Sequence, residues 1–521
     1  MAQAQTAMAR YGRLATTRDV YLNRGRACAY LTIPAILPPE GHSGASNLPT
    51  PWQSVGARGV NHLASKLLLA MFPPNAPFFK MGVDEQTAEK MTGDPALKGE
   101  IDKALSRYER VVMNEFETNA FRVSLFESMK HLIVGGNVAM FFSPQGGVRV
   151  FRLDRYVAKR DPMGNMIEAI FKEDISPMEL SERGKAALAA SGWVSKTGDD
   201  TEDSVCVYTR VYRDGDKYHS YQEVEGHRIK GTDAMYPLDK SPWLVLRWTE
   251  IDNEDYGRGY CEEYYGDLRS LEGLTKAIVQ GAAAAAKVLF LVRPNSVTKH
   301  KDISESETGD VRSGVASDVS VLQMEKYNDF RIANEARADI KQTLSLAFLL
   351  SSAIQRNGER VTAEEIRYMA EELESSLGGI YSALSQSLQR PLVNVLIAQM
   401  EAAGKLPVLP KGIVKVSITT GIEAIGRGQD LNKLRAFMTD AAQLAEVAEK
   451  LQTYMDVSNL LTRLGTSHSM DTAGLVYPTE VAKQNEAQAA QASQMEAATP
   501  NMINAGGHIA GKMIDQQGAA Q

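Results

Sequence analysis

Three stretches of this 521-residue chain carry residue types at spacings that could do chemistry. The first, Gly421-Ile-Glu-Ala-Ile-Gly-Arg-Gly428, follows a strand-like run and precedes a helix-like one, the context of a phosphate-binding loop. Such a loop needs a Lys to reach the terminal phosphates and a Ser or Thr hydroxyl to anchor magnesium. Arg427 and Gly428 stand at those two places, so the metal has no anchor. A glycine turn capped by Asp430 at the next helix start is the favoured reading. The second stretch, Asp252 to Glu263, has the length of a calcium loop, but its third and fifth positions are Glu254 and Tyr256. Tyr is a poor calcium ligand there. The third, Gln355-Arg-Asn-Gly-Glu-Arg360, is a polar loop between two helical patterns. It reads equally as a connector or as a contact loop in which Arg356 or Arg360 touches phosphates. The eight histidines form no HExxH and no pair at metal-ligand spacing, and no Ser/His/Asp set is recognisable by spacing.

The polar loop is positioned by the segment from Tyr256 to Glu364, around which the chain is organised. A helix is expected over Gly259–Leu289, a polar excursion over Val292–Phe330, and a second helix over Arg331–Ala353. In the first helix, Leu268, Leu271, Thr275, Ile278, Ala282, Ala285 and Leu289 alternate steps of three and four, a heptad-like seam. Gly266, Gly273 and Gly281 each weaken it by roughly 1 kcal/mol relative to Ala, so it needs packing partners. Ala282–Ala286 is thin enough to let another helix approach closely. Between residues 250 and 290 there are eight acids and four bases. That excess suits either a solvated acidic face or a surface past which DNA slides without sticking.

Elsewhere the pattern is mixed. Residues 1–36 read as a helix whose arginines (10, 13, 18, 24, 26) form a solvated face. Further helices are expected over Gln53–Phe72, Lys98–Asn119 and Phe121–Val134, and a β-rich tract over Val138–Tyr256 interrupted by a helical insert at Pro177–Ser191. From Ala363, Ile366, Met369, Leu373, Leu377, Ile380, Leu384 and Leu388 predict a long helix that Pro391 kinks. If it continues to Ala403 it spans ~60 Å. A strand at Ile413–Ile418, helices from Asp430 to Leu464 and an Ala/Gln-rich tail from Lys483 complete the chain. The fold class is α+β, predominantly helical.

Composition narrows the classes. A chain of this length needs several subdomains. The net charge of −7 excludes bulk-charge binding of nucleic acid, leaving only local or transient DNA contact. Cys28, Cys206 and Cys261 are scattered, without a CxxC pair, so neither a disulfide framework nor a cysteine zinc site is expected. The N-terminus lacks a signal peptide and no apolar run approaches a membrane span. These features describe a soluble protein of a reducing compartment that uses no cofactor.

Four stretches carry a family resemblance. They are Pro51-Trp-Gln-Ser-Val-Gly-Ala-Arg-Gly-Val-Asn-His-Leu-Ala-Ser-Lys-Leu67, Tyr256-Gly-Arg-Gly-Tyr260 with Gly266-Asp-Leu-Arg-Ser-Leu-Glu272, Gln355-Arg-Asn-Gly-Glu-Arg-Val-Thr-Ala-Glu-Glu-Ile-Arg-Tyr368, and Thr420-Gly-Ile-Glu-Ala-Ile-Gly-Arg-Gly-Gln-Asp430. From about residue 10 to 475 the chain closely resembles the portal, or head-to-tail connector, proteins of short-tailed phages. The resemblance implies a non-enzymatic ring of twelve subunits around a DNA channel at one capsid vertex.

It further implies a wing over 1–255, a first stem helix over 256–291, a clip over 292–330 and a second stem helix over 331–353. A tunnel loop over 354–362, a long wing helix and strand over 363–425, crown helices over 426–480 and a flexible tail over 481–521 follow. Arg356, Asn357, Glu359 and Arg360 are then tunnel-loop residues facing DNA, and Lys287 is a lower channel position. The implied partners are double-stranded DNA, the packaging ATPase (terminase large subunit), scaffolding and major capsid proteins, tail adaptor proteins and internal core proteins, with no membrane. The implied location is the virion, with the host cytoplasm during assembly. Two rivals remain: a nucleotide-driven translocase using Gly421–Gly428, and a tail adaptor ring that never contacts DNA.

Overall fold

The computed structural model describes residues 6–74, 77–83, 95–195, 203–285, 289–322, 327–350, 372–377, 379–407, 414–418 and 439. Several expectations lie outside these residues: Lys287, the loop with Arg356, Asn357, Glu359 and Arg360, the glycine loop Gly421–Gly428, the helices expected after Asp430, and the tail. The chain divides into two units, Met1–Ile422 and Glu423–Gln521. Only Thr439 of the second is among the described residues.

Helix α1 (Ala7–Leu31) starts where the Thr6 hydroxyl accepts from the Ala9 N–H. Its arginines do not all form the expected solvated face. Arg18 is 7% exposed and donates through Nη1 to the Tyr11 hydroxyl (2.8 Å) and the Asp154 carbonyl (3.1 Å), while Arg10 pairs with Glu168 at 2.9 Å. A guanidinium has five donors, so a buried one is tolerated when the chain supplies acceptors at these angles. Helix α2 (Val55–Met71) buries Val60, Leu63, Ala64, Leu67 and Ala70, the apolar stripe its periodicity predicts. Strand β1 (Phe79–Val83) follows, then α3 (Pro95–Thr118) and α4 (Phe121–Gly135).

The expected β-rich tract folds into two antiparallel sheets. Strands β2 (Asn137–Phe142) and β3 (Val148–Phe151) pair with each other, while β4 (Tyr156–Arg160) and β5 (Met166–Ile175) open a larger sheet. A 3₁₀ turn and α5 (Glu182–Ala190) form the helical insert. Strands β6 (Val205–Asp214), β7 (Lys217–Val224), β8 (His227–Arg228) and β9 (Ala234–Pro237) extend the larger sheet in the order β4-β5-β6-β7, with β8 and β9 both on the outer edge of β7. Strand β10 (Trp243–Arg247) returns to pair with β2. The alternation seen in sequence matches the burial: Tyr156, Phe171 and Trp243 join the main core, while Tyr11 of α1 packs with Val157, Ile170 and Tyr208 in a satellite cluster.

Next come the short helix α6 (Tyr260–Glu263), α7 (Tyr265–Ala285), β11 (Leu289–Val292), the one-turn helix α8 (His300–Ser304), β12 (Val319–Leu322) and α9 (Tyr327–Ala347). The first helix therefore ends earlier than expected. Leu289 continues the heptad count, but it begins a strand that pairs with β12 in the register Leu289↔Leu322 to Val292↔Val319. A four-residue apolar run fits either period, and cross-strand pairing decides it.

The long helix also departs from expectation. Leu373, Leu377, Leu384 and Leu388 are all buried, as the spacing requires. However, Gly379 adopts a left-handed conformation (φ 87°) and separates the helical residues 372–377 from α10 (Ile380–Leu384). A single turn of π-helix, Ser385–Gln389, then joins α10 to α11 (Arg390–Ala402). Pro391 has no N–H and its ring would meet the carbonyl four residues earlier, so the wider turn relieves that clash. Strand β13 (Val414–Ile418) closes the order by pairing with β1, Phe79 opposite Ile418.

Candidate functional site: a helix pair with a hairpin tip

The pair α7/α9 is entered through a tight backbone crossing. Asn137 donates through Nδ2 to the Gly257 carbonyl (2.7 Å) and accepts from the Gly257 N–H (2.8 Å). Gly136, at φ 69°, lies so close that a Cβ there would sit 2.3 Å from the Arg258 carbonyl carbon. One at Gly259 would meet the Val134 carbonyl at 2.6 Å. The glycines of Tyr256-Gly-Arg-Gly-Tyr260 are there because two backbones touch. Tyr256 is fully buried and its hydroxyl accepts from the Ala158 N–H at 2.9 Å.

The end of the pair nearest this crossing is locked into the core. Leu268 and Leu271 of α7 are buried, as are Leu344 and Phe348 at the end of α9. The Tyr260 hydroxyl donates to the Ala347 carbonyl at 2.9 Å, and the Tyr260 and Phe348 rings meet edge-on at 5.8 Å. The Phe348 ring rests on Gly59 of α2. Burial pushes the Tyr260 phenol well above its ordinary value, so it stays a donor. Glu272 reaches out of α7 to accept the Trp52 N–H (2.9 and 3.0 Å) and the Gln53 N–H (3.2 Å), just ahead of α2. His62 Nε2 faces the Leu349 carbonyl at 3.1 Å, and burial lowers its pKa, keeping the ring neutral.

Beyond that end the two helices hold mainly each other. The Phe330 ring lies across Gly281, where a Cβ would fall 2.4 Å from the ring. That glycine has its partner within the chain. Gly266 and Gly273, by contrast, face open space, and Ala282, Ala283 and Ala284 are exposed. Val279 and Ile332 are 45% and 62% exposed, apolar side chains the single chain leaves uncovered. At the tip, Phe290, Val297, Val311 and Val315 are also exposed.

The acidic excess between residues 250 and 290 does not line this pair. Six of the eight acids precede α7, and most of them are engaged locally. Asp255 pairs with Lys159 (3.0 Å) and accepts the Arg160 N–H (2.8 Å), Glu254 and Glu262 lie at 3.3 and 3.5 Å from Arg258, and Glu250 lies at 2.9 Å from Arg247. On α7 and α9 themselves five acids face five bases. The excess therefore belongs to the segment leading into the pair, and the two helices themselves are charge-balanced. The same pairing weakens the calcium-loop reading of Asp252–Glu263, because three of its carboxylates, Glu254, Asp255 and Glu262, already face Arg258 or Lys159. Among the described residues no cluster of three or more His, Cys, Asp or Glu could hold a metal ion.

Sequence reasoning identified the helix pair and its glycines, but not the Phe330–Gly281 contact, the Phe348 seat or the Glu272 clasp. Tyr260 and Tyr264, four apart, were a usable signal for an aromatic anchor, with rings 5.1 Å apart. Nothing local announces that Glu272 meets residues 220 positions away.

Among the described residues, the contacts of this pair are packing and backbone-holding ones. Comparison with known proteins accounts for them. A family profile described as bacteriophage head to tail connecting protein matches residues 4–476. The portal protein of Enterobacteria phage T3 is 44% identical over 480 residues, covering 91% of this chain and 88% of that protein. That of Escherichia phage T7 is 42% identical over 508 residues, covering 95% and 93%. Among solved structures, the neck of an empty gene transfer agent particle aligns with a TM-score of 0.37 at 13% identity, covering 79% of this chain and 90% of that one. With residues 4–476 matched and two portal proteins more than 40% identical over nearly all of its length, the chain belongs to the bacteriophage head-to-tail connecting proteins.

Proposed function

We propose that the chain is a portal subunit that assembles, as a ring of twelve, into the DNA channel at the unique capsid vertex. In this reading residues 1–255 form the wing, the helix pair is the stem and the hairpin tip is the clip. Arg356, Asn357, Glu359 and Arg360 face DNA from the tunnel loop, and Lys287 lies lower in the channel. The ring nucleates head assembly with scaffolding and major capsid proteins, docks the packaging ATPase, and later receives tail adaptor proteins.

The observation that carries the reading is the helix pair itself. Its inner end is anchored in the core, while its thin alanine face, open glycines and apolar Val279 and Ile332 await neighbours. Copies of the chain are the partners that complete such a wall. A wall with equal acids and bases on its two helices would release few counterions on meeting DNA, so duplex could move past without being gripped. Packaging energy then comes from a separate motor.

Imaging the purified chain by electron microscopy should show rings with countable subunits and a central channel. Persistent monomers under all assembly conditions would sink the proposal. Arg356→Ala combined with Arg360→Ala should leave ring formation intact while impairing DNA packaging or retention in a packaging assay. Normal packaging and retention by those rings would remove these two residues from the channel role.

A further inference from the structure

A cavity of about 450 Å³ opens between the β4–β5 turn, β10 and the start of α11. Its wall includes Arg160, Arg247 and Arg390, together with Met163, Leu238 and Leu244. The π-turn residue Ser387 also borders it, and such turns recur at functional sites.

The arginines are unevenly satisfied. Arg160 donates from Nε to the Asp255 carbonyl (3.1 Å), from Nη1 to the Gly164 carbonyl (2.9 Å) and from Nη2 to the Val245 carbonyl (2.7 Å). Those are neutral acceptors, and among the described residues no carboxylate lies within ion-pair distance of its guanidinium. Two of its five N–H groups remain without a partner there. Burial lowers its pKa to about 10, and the neighbouring Arg247 adds to the lowering. Arg247 is only 7% exposed; its Nη2 meets Glu250 at 2.9 Å and its Nη1 the Glu254 carbonyl at 2.8 Å, but its Nε has no partner among the described residues. The Glu250 side chain is 63% exposed, so solvent screens much of its compensation. Gly164, at φ 81°, lets the Arg247 guanidinium close on the turn, since a Cβ there would fall 2.6 Å from Nη2. Arg390, at the rim, is exposed and makes no side-chain hydrogen bond or ion pair among the described residues.

Buried cations without counter-ions are costly, and an oxyanion offered to such a cluster gains charge-assisted bonds. We propose that this cavity is a carboxylate-binding site that takes an acidic side chain flanked by apolar residues from a partner protein. The charged groups of the wall are three guanidiniums and the carboxylates of Asp239 and Glu250, a net charge of +1. That balance matches one carboxylate and disfavours a polyanion such as nucleic acid. The apolar rim sets the rest of the ligand: Met163 is 84% and Leu238 37% exposed beside the opening. This site does not depend on the channel reading.

The test uses fluorescein-labelled, blocked Leu-Glu-Leu and Leu-Gln-Leu peptides, titrated against the full-length chain as monomers and as rings, with anisotropy as the readout. The glutamate peptide should bind about tenfold more tightly than the glutamine peptide, the scale of one or two charge-assisted bonds. Arg390→Gln should reduce that preference roughly three- to tenfold without changing thermal unfolding, and Arg160→Gln should abolish it. If Arg160→Gln does not fold, the Arg390 variant still decides. Equal binding of the two peptides, or a preference that survives the folded variants, overturns the proposal. Inorganic phosphate competing as well as the glutamate peptide would reassign the site to phosphate. Binding confined to monomers would show that a second copy occupies it. Either outcome also overturns the proposal.

Discussion

At Gly281 and Gly273 one residue type meets opposite surroundings. Gly281 lies under the Phe330 ring, whereas nothing within 4 Å would meet a Cβ at Gly273. Gly281→Ala should therefore destabilise the chain by about 1–3 kcal/mol, the usual cost of overpacking, measured by denaturant unfolding of the monomer. Gly273→Ala should stabilise the monomer by roughly 0.5–1 kcal/mol, as helix propensity dictates. Its second readout is ring assembly. If rings are lost while the monomer gains stability, a neighbouring subunit occupies the open position; if rings form normally, that face is free. The sequence showed both glycines as equal weaknesses. Only the fold distinguishes them, because Phe330 is brought to Gly281 by a hairpin forty-odd residues long.

At the scale of elements, the helix pair is set by contacts from outside itself. Glu272 accepts two backbone N–H groups ahead of α2, so Glu272→Ala leaves those donors without their acceptor. The expected loss is about 1 kcal/mol, comparable to removing a helix cap. It should appear as a lower denaturant midpoint with an unchanged slope, together with a shifted emission from the exposed Trp52. An unchanged midpoint would mean the clasp contributes nothing. Elements were legible wherever burial is periodic: α2 and the leucines from Leu373 to Leu388 follow from spacing alone. The interruptions were less legible. Gly379, within an otherwise continuous apolar stripe, permits the left-handed break there. The end of α7 was obscured because Leu289 fits both a heptad and a strand.

For the molecule as a whole, the class and the family were within reach of the sequence, while charge placement was not. The acids from Glu250 to Glu263 look like a DNA-facing surface only until their pairing is seen: Glu250 with Arg247 three residues before it, Glu254 and Glu262 with Arg258 four residues away, and Asp255 with Lys159 from a distant strand. The first three lie at helical spacing and were open to a local reading, whereas the Lys159 contact leaves no mark in local composition. The expected channel residues are carried by the family resemblance, and their spacing alone would fit an ordinary loop equally well.

The β1–β13 pair joins Phe79–Val83 to Val414–Ile418, strands separated by most of the chain. Phe79 is fully buried in the finished molecule. At synthesis rates of roughly 5–20 residues per second, β1 must wait on the order of 15–70 s before its partner strand is made. A ribosome-bound chain halted before Val414 should therefore remain open to protease near Phe79, and one extended well past Ile418 should be protected. Equal protection of both would mean the first strand is shielded in another way. If only the longer chain is protected, translation itself acts as a timer, with β13 the event that closes the waiting edge of β1.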